Sequence, residues 1–459
     1  MIKEYDDFLI NYKTISLKIP IHADVETRDF IFKNINMYRR IKNDFIEAAN
    51  AYFNMHHTYK GFSVLKFKNE YFKKEQEEGR YSEYVRGLSE QVAKEIDTSI
   101  KSILTNYDKS DKMGRFHFRR FDKYRGSFTT HLKPTFYKVA DDIHYSSRIT
   151  QTPDNKIVSF KVRGSYHGDK EEVRHFHLKE PLYDDIIREN DKNHIYVKYF
   201  KEDGLKTIHE YRFRGKDIKL ITFIHELGHF YIQFSIDVTY IIYRDIVKDR
   251  IYKAGIDTGI HNPAVVFDGI EFKYIRMDEK KIARINRIES RIKYLQERMD
   301  IKYRINKKRV KSGELKTPYS KNYEKLRYKF RKSWKRIVNI KRQWRYDVCK
   351  RIVTSYRHIV VDGFEQPDNT DVDLTNDVIH AINSGNRFHA MYLFNETLKH
   401  MADKYGCYYY EAPENTTRIC SECGYKNKPL PLTKRYLVCK KCGVKIDRDV
   451  NAAINCFIS

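Results

Sequence analysis

The sequence predicts an α/β protein of two or three packed units. Its 459 residues suffice for more than one hydrophobic core. Apolar runs of period two alternate with longer stripes at helical spacing, so both element types are expected. Four of the seven cysteines form a C-terminal cluster, Cys420-x2-Cys423 and Cys439-x2-Cys442, which calls for a small folded module beside the larger ones.

Tyr12 to Ile21 alternates like a strand, and Val25, Phe32, Ile35, Tyr38, Ile41, Phe45 and Ala49 then follow helical spacing. Further helical patterns run to about residue 107, and a basic segment, Gly114 to Arg125, begins the return. Strand-like runs dominate from Lys156 to Val247, including Ile195 to Tyr199, Ile218 to Ile224 and Phe230 to Tyr240. The first half therefore reads as a strand-rich domain interrupted near its start by a helical insertion. Within it, His225-Glu-Leu-Gly-His229 matches the HExxH zinc-protease pattern. That chemistry needs a helix presenting both imidazoles on one face, whereas the flanks are strand-like and Leu227-Gly228 lies between them. A hairpin turn is expected.

The segment from Tyr252 to Phe267 reads as a strand ending near Asp257, a glycine-containing turn and a second strand. Ile359-Val-Val-Asp362-Gly-Phe-Glu365 supplies another apolar strand ending in acid, and Asp449 a third acidic position. Acids brought together in this way can hold two divalent ions, one activating water and the other stabilising the leaving oxygen of a phosphodiester. Between the first two acid segments lie two helical stripes: Ile282, Ile285, Ile288, Ile292, Leu295 and Met299, then Leu326, Phe330, Trp334, Ile337, Trp344 and Val348. Ser312-Gly313 and Pro318 favour a turn between them. This helix hairpin offers Lys307, Lys308, Arg309, Lys335, Arg336, Lys341 and Arg342 to nucleic-acid phosphates, although its charged faces are equally suited to plain solvation.

The cysteine pairs lie fifteen residues apart and favour a closed tetrahedral zinc site without an open catalytic position. Thr417, Arg418, Lys440 and Lys445 nearby are candidate phosphate contacts. Cys349, Cys407 and Cys456 read as ordinary buried thiols. An odd, clustered cysteine set suits a reducing compartment, and the absence of a signal sequence or a long apolar stretch predicts a soluble, intracellular protein with no membrane partner. A net charge of +26 favours a polyanionic partner over an acidic small substrate, and 36 tyrosines and 27 phenylalanines add stacking surfaces.

In Gly255-Ile-Asp257-Thr-Gly-Ile, Thr416-Thr-Arg-Ile-Cys420-Ser-Glu-Cys423-Gly-Tyr, Cys439-Lys-Lys-Cys442-Gly and Asp447-Arg-Asp449-Val-Asn451-Ala-Ala-Ile-Asn455, the chain resembles the transposon-encoded TnpB proteins and the related compact type V CRISPR effector nucleases. The likeness is strong in element order from about residue 250 onward and weaker before it. It implies a RuvC-like (RNase H-like) nuclease domain over 249–416 and 444–459, with the basic hairpin at 276–350 and an inserted four-cysteine zinc module at 417–443. Before these it implies a β-barrel-like wedge domain over 1–24 and 126–248, carrying a helical recognition insertion at 25–125.

The resemblance puts the first catalytic, metal-binding acid on Asp257 and the third on Asp449, with Asp447 a noncatalytic neighbour. The family usually has Glu at the end of the second strand. Here Asp362 stands there, one methylene shorter, and Glu365 is the alternative. The implied activity is RNA-guided cleavage of double-stranded DNA after recognition of a short flanking motif. Mg2+ or Mn2+ serves hydrolysis and Zn2+ structure, with guide RNA and target DNA as partners in a prokaryotic cytoplasm, acting at the nucleoid. A nuclease-inactive or weakly active guided DNA-binding protein is the closest alternative, and an unguided nuclease the next. Oligomeric state is left open.

Overall fold

The structure is a computed structural model that describes residues 7–78, 83–110, 114–120, 122, 124–130, 157–162, 172–190, 193–202, 207–244, 250–259, 263–362, 391–428, 430 and 434–459. Two compact units comprise Met1–Asp245 and Ile246–Ser459. No described helix is long and apolar enough to cross a membrane.

The first unit begins with β1 (Asp7–His22), followed by α1 (Val25–His56), α2 (Val64–Glu77), α3 (Glu83–Ser110) and β2 (Arg125–Thr130). Seven strands complete it: β3 (Ile157–Val162), β4 (Glu172–Leu178), β5 (Asp185–Asn190), β6 (Asn193–Glu202), β7 (Thr207–Phe213), β8 (Ile218–Glu226) and β9 (His229–Arg244). Helix α1 starts where the Asp24 side chain accepts a hydrogen bond from the Thr27 N–H, and it ends at His57 in the left-handed region. Its inward row, Ile31, Tyr38, Ile41, Phe45, Ala49 and Phe53, follows the expected period. Val25 departs from it and is 71% exposed, because it occupies the first turn, beside the cap and outside the packed stripe.

Strands β1 and β9 pair antiparallel along Asp7–Pro20 and Tyr231–Arg244 and form the spine of a nine-stranded antiparallel sheet. One path runs β3-β4-β1-β9-β7-β6-β5, while β8 and then β2 branch from β9. Among the described residues this sheet has three free ends, at β3, β5 and β2, so the described pairings do not close a barrel. Phe30 of α1 meets Phe128, Phe176 and Phe223 of the sheet, joining helices and strands in one core.

The HExxH pattern is the β8–β9 turn. Leu227 and Gly228 have φ of 52° and 84°, the two positive values expected of a tight two-residue hairpin loop. His225 pairs with Phe230 and Glu226 with His229, so the two imidazoles lie on opposite faces of the hairpin. His225 instead packs against Phe32 and Phe230.

The second unit contains β10 (Ile251–Asp257), β11 (Ala264–Phe267), β12 (Phe272–Ile275), α4 (Glu279–Lys311), α5 (Lys321–Ser355), β13 (Tyr356–Asp362), α6 (Met391–Tyr405), β14 (Tyr408–Glu411), β15 (Tyr436–Val438), β16 (Lys445–Asp447) and α7 (Arg448–Ile458). Its five-stranded sheet has the order β12-β11-β10-β13-β14. The first three strands are antiparallel neighbours, whereas β10, β13 and β14 run parallel. Ala254, Ile256, Ile359 and Val361 are buried, as expected of strands covered on both faces.

Helices α4 and α5 form the predicted hairpin, with Ile285, Ile292, Leu295 and Met299 buried on one helix and Ile337, Trp344 and Val348 on the other. Trp334, expected in the inward stripe, is 44% exposed and packs edge-on against Phe330. Helix α4 ends at Lys311, and Gly313 follows with φ 81°. Helices α5 and α6 pack on each other and against β13 and β14, while α7 lies over β10, β11 and β13.

Candidate active site and metal-binding cluster

Asp257 and Asp362 are the last residues of β10 and β13 and register partners across a parallel pair. Their side chains therefore leave the sheet on one face, at the same end of the two strands. Asp449 comes to that place by another route, the first turn of α7, where the Asp447 side chain caps the helix by accepting from the N–H groups of Asp449 and Val450 at 2.9 and 3.3 Å. The three acids sense one another. Burial, then the charges of Asp449 and Asp362, raise the Asp257 carboxyl well above the usual carboxylate range, against the opposing pull of Arg448 and Arg435. Cys456, one of the buried thiols, lies close by and is raised by burial and by Asp362 and Asp257.

Helix α7 reaches the sheet through Gly255, two residues before Asp257. A Cβ at that position would lie 2.2 Å from the Ala453 carbonyl oxygen and 2.4 Å from the Phe457 nitrogen. Ala452 and Ala453 are fully buried. Helix backbone thus rests directly on strand backbone, which requires glycine on one side and small residues on the other.

The polar atoms around the acids are mostly engaged. Arg435 donates from Nε to Asp447 and from a terminal nitrogen to Asp449, each at 2.7 Å. Thr416 donates its hydroxyl to Asp362. The Thr258 hydroxyl donates to the Asp362 carbonyl at 3.0 Å and accepts from Asn395 Nδ2 at 3.2 Å. Among the described residues the buried Asn395 Oδ1 has no hydrogen-bond partner. Thr416 and Thr258 stand inside the motifs quoted from the sequence, though without an assigned role, whereas Arg435 and Asn395 do not. Arg435 was the easiest of them to find, as a cation just before the second cysteine pair. Glu365 lies outside the described residues.

Cys420, Cys423, Cys439 and Cys442 converge as expected, with all four Sγ atoms within 4.8 Å of one another. The sulfurs of Cys420 and Cys442 are 3.7 Å apart, and those of Cys423 and Cys439 3.6 Å. Thiolates at tetrahedral zinc, with bonds of about 2.3 Å, stand ~3.8 Å apart, so this donor set fits zinc. The N–H groups of Cys442 and Lys441 draw the Cys439 thiol down to about 6, whereas burial raises that of Cys420. Asn427 closes the cluster: its Nδ2 lies 3.8 Å from the Cys439 sulfur, and its Oδ1 accepts from the Lys440 N–H at 3.0 Å.

Among the described residues the carboxylates do not gather to the 4.8 Å spacing of the sulfurs. As a set of oxygen donors, with Asp257 and Asp449 buried and Asp362 half-buried, they nonetheless suit a hard divalent cation such as Mg2+ or Mn2+. The two candidate centres are physically joined. The β15–β16 hairpin carries the second cysteine pair and runs directly into the Asp447 cap. Asn451 accepts from the Ser421 N–H at 2.9 Å and donates to the Ile419 carbonyl at 2.7 Å. Asn455, one helical turn on, donates to the Thr416 and Ile419 carbonyls, both at 2.7 Å.

Of the phosphate contacts expected beside the cysteines, Arg418 is engaged with Asn415 Oδ1 and the Asn427 carbonyl. Lys445 lies over the Tyr436 ring at 5.1 Å.

Residues 392–456 match the family model "Cas12f1-like, TNB domain". TnpB-like proteins L79 and L770 of Acanthamoeba polyphaga mimivirus are each 33% identical over 138 residues, 30% of this chain and 26% of theirs. The matched stretch is thus about a quarter of the length of these relatives. Across the whole chain there is similarity to the Cas12f1 protein of a Cas12f1–sgRNA–target DNA complex, at 15% identity and a TM-score of 0.30, covering 97% of this chain and 99% of that one. The resemblance read from the sequence motifs, to TnpB-like proteins and type V effectors, is therefore found in both sequence comparisons.

Proposed function

We propose that this chain, TnpB-like in its C-terminal motifs, is an RNA-guided endonuclease that hydrolyses double-stranded DNA. The observation that carries the reading is the meeting of Asp257, Asp362 and Asp449 at the ends of two parallel strands and the first turn of a helix. A strand order of three antiparallel strands followed by two parallel ones is what an RNase H-like domain requires, and it supports the same reading. Asp257 and Asp449 are the proposed metal ligands, and Asp362 completes the acidic set. Two divalent ions bound there would supply an activated water and a stabilised leaving oxygen. The chain's own part is to hold the acids in place: α7 is fixed against Gly255, Arg435 tethers Asp449, and Thr416 orients Asp362. The four cysteines hold a structural zinc that braces the hairpin leading into Asp447. Base pairing with guide RNA supplies target choice, and a net charge of +26 favours retention of the polyanionic partners.

The test is cleavage of a guide-matched duplex with a randomised flanking motif, in Mg2+ and Mn2+, by wild type, D257A, D362A, E365A and D449A. D257A and D449A are expected to lose cleavage while keeping guide and target binding. Persistent cleavage by both would overturn the site. Loss in E365A but not D362A would transfer the second acid to Glu365. A second reading, a guided but nuclease-inactive binder, is favoured by one observation: Asp362 is shorter than the family's Glu and its carboxylate is already engaged by Thr416. Target binding without cleavage in either metal would establish it.

A further inference from the structure

We propose that Tyr408, Tyr410 and His358 form a stacking platform for unpaired bases of a single nucleic-acid strand, on the same sheet face as the three acids. Among the described residues β14 is an edge strand of the sheet, and it begins Tyr408-Tyr409-Tyr410. Alternation sends Tyr409 toward α6, where Lys399 lies 5.6 Å from its ring and burial raises its hydroxyl to about 12. Tyr408 and Tyr410 point the other way and stay 54% and 48% exposed. The register pairs His358 with Tyr408 and Val360 with Tyr410, which puts these side chains on the face that Asp362 and Asp257 share.

The rings are aligned. His358 is 4.8 Å from Tyr408 at 14° and 6.1 Å from Tyr410 at 11°, and Tyr252 adds a tilted ring 4.8 Å from His358. Helix α7 covers β10, β11 and β13 on this face, and both β14 rings remain half open beyond it. A large exposed aromatic group in register is unusual on a surface without a partner. Burial, then the charges of Arg357 and Lys253, hold the His358 imidazole toward the neutral form, and Lys253, its register partner, is the cation on this face. The one carboxylate of the strand, Glu411, is paired with Lys399 at 3.1 Å.

These features select the occupant. Aromatic faces accept bases without regard to sequence, and flanking cations accept phosphates. A duplex hides its base faces, so the occupant is single-stranded. His358 and Asp362 are four residues apart on one strand, about 13 Å at ~3.3 Å per residue, or roughly four base-stacking steps of 3.4 Å. Tyr408 and Tyr410 follow one another along β14, parallel to β13, so a strand stacked on their open sides beyond α7 runs toward the end of the sheet that carries Asp362.

The proposal rests on the nuclease reading only for the direction of that strand; binding itself is measured separately. Full-length protein without added Mg2+ or Mn2+ is titrated with a fluorescein-labelled oligothymidylate, at a salt concentration high enough to weaken the purely electrostatic contribution. The Y408A/Y410A pair is expected to raise Kd about tenfold. Y408F/Y410F should bind like wild type, and affinity for a blunt duplex should not change. Y408L/Y410L keeps apolar bulk without the ring face and should lose as much as the alanine pair. If the leucine pair binds single strands as tightly as wild type, the platform is wrong. Should wild type never cleave while the leucine pair still loses binding, the nuclease reading fails and the platform stands. Cleavage by wild type with unchanged Kd and KM in the leucine pair would mean the reverse.

Discussion

Replacing Gly255 by alanine tests how the acids are held. The new methyl carbon would stand 2.2 Å from the Ala453 carbonyl oxygen, where ordinary contact begins at 3.4 Å, so α7 must retreat by more than an ångström at that point. The obstacle is backbone on both sides, so no rotamer change relieves it. Overpacking of this kind costs about 1–3 kcal/mol, or ~2–12 °C of melting temperature for a unit of this size. The larger consequence falls on chemistry, because Asp449 rides on the displaced helix and Asp257 lies two residues along the displaced strand. A misplacement of about 1 Å in a reacting group costs on the order of a hundredfold in rate. Single-turnover cleavage of a matched target should fall by about that factor, while zinc content and guide affinity stay near wild type. A G255A protein that cleaves at the wild-type rate would refute the close-packing argument.

Metal analysis of purified protein should find about one zinc per chain. Cys420→Ser or Cys439→Ser should lose it and also cleavage, through the hairpin that ends at Asp447; unchanged zinc would reject the ligand assignment. His225→Ala and His229→Ala should leave zinc content untouched, since their side chains lie on opposite faces of a hairpin; a measurable drop would contradict that geometry. In chelator, Asp257→Asn should raise the melting temperature at neutral and alkaline pH. The folded protein binds a proton at Asp257 more tightly than the unfolded chain does, so the wild type loses stability as pH rises above the ordinary value of 3.8 toward the raised one. The gain should shrink as pH falls through the raised value, and a shift independent of pH would show that Asp257 is not crowded by its neighbours.

The sequence was most informative where chemistry and periodicity coincide. The cysteine spacing, the strand ends at Asp257 and Asp362 and the Leu227-Gly228 turn could all be read because each rests on neighbours within a few positions. Val25 and Trp334 misled for a related reason: a helical period marks a face, while the neighbours that cover it decide which parts of the face are buried. The contact of Gly255 with Ala453 joins positions nearly two hundred residues apart, and nothing local announces it. The same is true of Asn451 and Asn455. Their spacing of one helical turn is visible, but their common partners, the Thr416 and Ile419 carbonyls, are known only once the cysteine loop is folded. The β14 tyrosines are three in a row, and nothing near them in the sequence indicates which two face outward or that His358 stands beside them.

The parallel pairing of β10 with β13 also bears on the order of assembly. β10, β11 and β12 can form early as a local meander, whereas β13 reaches β10 only after the α4–α5 hairpin has closed a loop of roughly a hundred residues. Asp449 joins when α7 seats on Gly255. A unit in which the hairpin has closed but α7 has not yet seated therefore holds two of the acids without the third. On the proposed nuclease reading, such a copy would hold nucleic acid without cutting it.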